Sequence, residues 1–124
     1  LISDYQPRLA AATSQYAAPE LSSVIIDPAT SFDPIKADVW SIGAIMYHLA
    51  TGLPLPSPFI LSRLVAQPVV RQRNRWFRDL LRMTLQIRVA ERASTTDLVD
   101  FFADVSDQLV LSATESMHRP MENL

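Results

Sequence analysis

Residues 36–52 read KADVWSIGAIMYHLATG, and this stretch decides the fold. Its apolar side chains Val39, Trp40, Ile42, Ala44, Ile45, Met46 and Leu49 fall on every side of a helix rather than along one stripe. A helix that is apolar all round belongs in the interior of a domain. The pattern predicts a central helix over residues 36–50, stopped by Thr51-Gly52, with Trp40, Ile42, Ile45 and Leu49 nearly inaccessible. Something else must wrap it.

Working outward, Asp27-Pro28 and Asp33-Pro34 bracket a loop, because the residue before a proline is pushed out of the helical region. Residues 20–26 have room for one or two helical turns. Residues 5–19, with Pro7 and Pro19, read as loop, and residues 1–4 as a strand end. On the other side, Pro54, Pro56 and Pro58 make a stiff connector to a short helix over residues 59–66. Asn74 is placed to cap a helix to about residue 87. Its apolar positions Trp76, Phe77, Leu80, Leu81, Thr84 and Leu85 follow i, i+3, i+4 spacing. Ser94-Thr95-Thr96-Asp97 has the layout of a capping box with Asp in place of Glu. It opens a helix carrying Leu98, Phe101, Phe102 and Val105 that reaches residue 111. Residues 112–124 read as a flexible polar tail. With no alternating strand pattern and no repeats, the expected fold class is mainly α.

Composition narrows the function classes. The chain has 124 residues, 48% hydrophobic and 19% charged, with a net charge of −2. That balance predicts no strong attraction to nucleic acid or to an anionic membrane. There is no cysteine, and the two histidines, His48 and His118, have no ligand cluster in sequence, so neither disulfide nor zinc site is expected. No apolar run approaches the ~18 residues of a membrane span. The charge is uneven. Residues 63–92 carry Arg63, Arg71, Arg73, Arg75, Arg78, Arg82, Arg88 and Arg92 against Asp79 and Glu91, and then Asp97, Asp100, Asp104 and Asp107 reverse the sign. Such a run most often forms a solvated helical surface. The stretch from Arg71 to Arg82 is also a candidate outward docking face.

Three stretches in order resemble the signature set of the eukaryotic Ser/Thr protein kinases. Thr13-Ser14-Gln15-Tyr16-Ala17-Ala18-Pro19-Glu20 is similar to the end of an activation segment, which closes in A-P-E. Lys36 to Gly43, followed by Tyr47, Leu49, Thr51, Gly52 and Pro54, resembles the family's central helix, D-V-W-S-x-G with a T-G-x-x-P exit. Arg78-Asp79-Leu80-Leu81, then Arg92-Ala93-Ser94 and Asp97-Leu98, looks like the run that closes the catalytic domain. The match covers residues 13–102 and implies the helical C-terminal lobe of a kinase-like fold. On it, residues 1–20 are the remnant of the metal-binding strand and activation segment, 21–111 the helical lobe, and 112–124 the tail.

The resemblance implies roles. Glu20 and Arg92 form a buried ion pair, Asp38 holds the catalytic loop's backbone, and the hydrophobic spine rises from Ile45 and Leu49, with Trp40 in the same motif. Asp4 stands where the metal-binding aspartate is expected and Thr13 where the activation segment meets substrate. Yet Tyr5 and Gln6 replace the Phe and Gly of D-F-G, and only eight residues separate Asp4 from Thr13. The glycine-rich loop, the strand lysine and H-R-D-x-x-x-x-N do not occur in these 124 residues, and Lys36 is the only lysine. No catalysis is expected of this chain alone, and no cofactor; Mg-ATP enters only if a catalytic core stands upstream. Three readings follow: part of a degenerate kinase acting in protein binding or scaffolding, a fragment of an active Ser/Thr kinase, or a free-standing helical module in a larger complex. Each implies an intracellular protein, cytoplasmic or nuclear. Its expected partner is another protein or the upstream part of its own chain, without nucleic acid or membrane.

Overall fold

The computed structural model describes residues 15–21 and 32–118. Among these the protein is mainly helical, with no strand. Two compact units divide the chain at Ser94 and Thr95.

In the first unit, α1 spans Pro34–Thr51, 18 residues. Its start is set by Asp33, whose Oδ1 accepts from the backbone N–H of Ile35 (2.9 Å) and of Lys36 (3.2 Å), with Pro34 at the first helical position. Its end is set by Gly52 at φ 75°, whose N–H donates to the His48 carbonyl at 2.8 Å. The irregular stretch after it leads to α2 (Leu61–Ala66) and α3 (Pro68–Arg71). The sequence reading placed the start of α2 two residues early and missed α3. α4 (Arg75–Thr84) follows, then a 3-10 turn over Val89–Glu91. Asn74 occupies the N-cap position of α4, but its side chain makes no capping bond. The helix stops at Thr84, three residues before the expected end at Ile87.

The core lies on one side of α1. Trp40, Ala44 and Tyr47 pack with Leu64 of α2, Val70 of α3, and Phe77 and Leu81 of α4. The expectation of burial all round is corrected here: Ile42, Ile45 and Leu49 are 38%, 41% and 77% exposed. With Ile35 and Asp38, both exposed, they form one stripe at positions 35, 38, 42, 45 and 49. The other described elements of the first unit pack on the opposite side of α1 and leave this stripe open.

The crossing of α1 over α4 is set by Gly43. A Cβ built there would lie 2.1 Å from Thr84 Oγ1 and 2.8 Å from Thr84 Cβ. Thr84 cannot swing aside freely, because it is fully buried and its hydroxyl donates to the Leu80 carbonyl at 2.8 Å. Gly43→Ala should therefore lower stability by about 1–3 kcal/mol through overpacking. A urea melt checks this; an unchanged midpoint would mean that the helices part without cost.

The second unit is represented by α5, Thr95–His118. It begins one residue after Ser94, where the capping-box pattern places it, and continues seven residues beyond Leu111 into the segment read as tail. Leu98 and Val105, seven residues apart, are its buried side chains, and the side chains from Ser106 to Met117 are exposed.

Candidate functional site

Arg92 follows the 3-10 turn in extended conformation, φ −73° and ψ 142°. It is 2% exposed, and a buried guanidinium survives only if its charge and its five N–H groups are met. All five are. Nη1 donates to Glu20 Oε2 (2.6 Å) and to the Lys36 carbonyl (2.8 Å). Nη2 donates to Glu20 Oε1 (2.9 Å) and to the Gln86 carbonyl (2.9 Å), and Nε donates to the same Gln86 carbonyl at 3.0 Å. The guanidinium lies 5.4 Å from the centre of the Trp40 ring, in cation–π contact. The Lys36 Nζ closes the circuit by donating to the Arg92 carbonyl. One side chain thus ties together residue 20, the start of α1, and the loop after α4.

The segment bearing Glu20 is fastened to α1 at further points. Ser41 Oγ donates to the Tyr16 carbonyl at 2.8 Å, and the Tyr16 hydroxyl shares a 2.8 Å hydrogen bond with His48 Nδ1. A turn follows in which the Leu21 N–H donates to the Ala18 carbonyl at 3.1 Å. Burial alone would raise the pKa of the Glu20 carboxyl. The Arg92 hydrogen bonds and charge outweigh it and hold that pKa below the ordinary 4.5.

The structure therefore places Glu20, Arg92 and Trp40 together. Asp38, Ile45 and Leu49 lie apart from them on the open stripe of α1. Asp38 is the fifth residue of the helix, and Asp33 is its N-cap. Asp4 and Thr13 lie outside the described residues. Sequence reasoning missed the Lys36 and Gln86 contacts of Arg92 and the Tyr16–His48 pair. Backbone carbonyls carry no sequence signal, and residues 16 and 48 sit in different elements with no shared period.

Chemically the arrangement is a tie. With every Arg92 donor engaged, none is left to hold a phosphate or to polarise a substrate. Among the described residues no group of three or more His, Cys, Asp or Glu side chains is placed to hold a metal ion. No helix among them is long and apolar enough to cross a membrane. Comparison with protein-family models, with curated proteins and with solved structures returns no match to this chain.

Proposed function

We propose that this chain is the C-terminal lobe of a protein-kinase-like fold, belonging to a degenerate kinase that acts in the cell interior by binding or scaffolding other proteins. The observation that carries the reading is the Glu20–Arg92 pair. The two residues stand in separate motif matches, 72 positions apart, and the resemblance alone assigned them to each other. Their two-pronged contact is the geometry that clamps an activation segment to a helical base.

The open stripe of α1 supports the same reading. By the resemblance Asp38 holds the family's catalytic loop and the spine rises from Ile45 and Leu49, and these three share one uncovered face. Against catalysis stand Tyr5 and Gln6, and the lack of a phosphate-binding loop, strand lysine and catalytic base in these residues. Mg-ATP chemistry therefore depends on residues beyond this chain.

Two measurements on the purified 124 residues test the proposal. Light scattering should show association that grows with concentration, because the apolar stripe needs a cover, and Ile42→Glu with Leu49→Glu should abolish it. A monodisperse monomer at all concentrations would overturn the lobe reading in favour of a self-sufficient helical module. Mg-ATP should leave the melting temperature unchanged; a shift would report nucleotide bound to the native state and overturn the degenerate reading.

A further inference from the structure

A second feature carries chemistry that the clamp does not use. Between α2 and α4 lies a groove of about 530 Å³, within the size range of ligand sites. Leu61, Val65 and Ala66 give it an apolar floor; Arg71, Arg78 and Arg82 stand around it. Among the described residues no acidic side chain lines it. Arg78 and Arg82 are one helical turn apart, so their charges repel. Arg82 has one ion-pair partner, Asp79, at a loose 3.8 Å with both side chains about half exposed, which does little to neutralise it. Arg71 makes no ion pair with any described residue. Arg78 is half-buried and its Nε is inaccessible, with no hydrogen-bond partner. Three arginines, two of them without an ion-pair partner among the described residues, thus gather at an apolar-floored groove.

We propose that this groove binds an acidic peptide segment of a protein partner. Carboxylates of the peptide pair with Arg71, Arg78 and Arg82, and an apolar side chain between them rests on Leu61 and Val65. The floor argues for peptide over nucleic acid: the lining has no aromatic ring on which a base could stack. The inference gives the partner chemistry for the binding role proposed above but stands on the groove alone, so its failure leaves the lobe reading untouched.

The test is fluorescence anisotropy of the full chain with a labelled peptide, Glu-Glu-Leu-Glu-Glu-Leu. Saturable binding is expected, weakening as salt rises and absent for the Gln-Gln-Leu-Gln-Gln-Leu peptide. Arg71→Gln with Arg82→Gln should weaken binding about tenfold or more. Arg63→Gln, which removes a single charge on α2 outside the groove lining, should change it less than about twofold, against a clear loss for Arg71→Gln or Arg82→Gln taken singly. Arg78→Gln should act like the groove pair; if its melting curve shows that it does not fold, the Arg71 and Arg82 variants decide. No saturable binding, equal loss for Arg63→Gln, or undiminished affinity for the neutral peptide would overturn the proposal. So would tighter binding to phosphatidylserine vesicles or to polyuridylate than to the acidic peptide.

Discussion

Arg92→Ala should lower the unfolding free energy by about 3–5 kcal/mol, the cost of leaving one partner of a buried ion pair uncompensated. Removing the guanidinium strands the Glu20 carboxylate and takes all five of the side chain's donated bonds from Glu20, Lys36 and Gln86. Arg92→Lys should rescue little, since a single ammonium cannot reach both carboxylate oxygens and two carbonyls from one point. Arg71→Ala, on an exposed side chain, should leave the melt almost unchanged; equal effects for the two alanine variants would contradict the clamp. The pH dependence has a definite sign. Glu20 titrates below 4.5 when folded, so the pair stabilises the protein above that value and the contribution is lost as pH falls through the folded pKa. The stability gap between wild type and Glu20→Gln should therefore narrow in acid below 4.5 and stay constant near neutrality.

Leu81→Ala should cost about 2–5 kcal/mol, while Leu49→Ala in dilute protein should stay within about 0.5 kcal/mol. Leu81 is fully buried between α4 and α1, and Leu49 is 77% exposed. The contrast is informative because both are leucines in helices that the sequence reads as core. Chemical denaturation of the two variants checks it; a large loss at Leu49 would mean that the stripe on α1 is covered in the isolated protein.

The local rules were the legible part of this sequence. Gly52 stops α1 where a glycine stop is expected, Ser94 stands just before α5, and α4 buries Phe77, Leu80, Leu81 and Thr84 at helical spacing. Asp33-Pro34 read as a loop edge and proved to be the cap and first residue of α1. What periodicity could not supply was the direction of cover. An all-round apolar helix says that every side can be buried, not which sides are, and Ile42, Ile45 and Leu49 are on the side left open. The four-residue α3 was also out of reach, since it is too short to show a period. Of the candidate site, the Glu20–Arg92 pair was reachable by motif resemblance alone, because nothing local links residues so far apart. The groove was half legible: the run of arginines was plain, but gathering three of them over Leu61 and Val65 needed the packing of α2 on α4.

The wiring of Arg92 also sets an order of events. Its partners sit at residues 20, 36 and 86, so the chain from Glu20 onward must be complete and collapsed before the guanidinium can enter. Closing so long a loop is paid in entropy before any bond returns it. During synthesis the segment around Glu20 emerges early, and its carboxylate waits without the Arg92 partner until residue 92 has left the ribosome. Contacts that arrive last govern how fast a protein comes apart more than how fast it forms. Arg92 is thus a latch on the finished unit, and its loss should show first in the rate of opening.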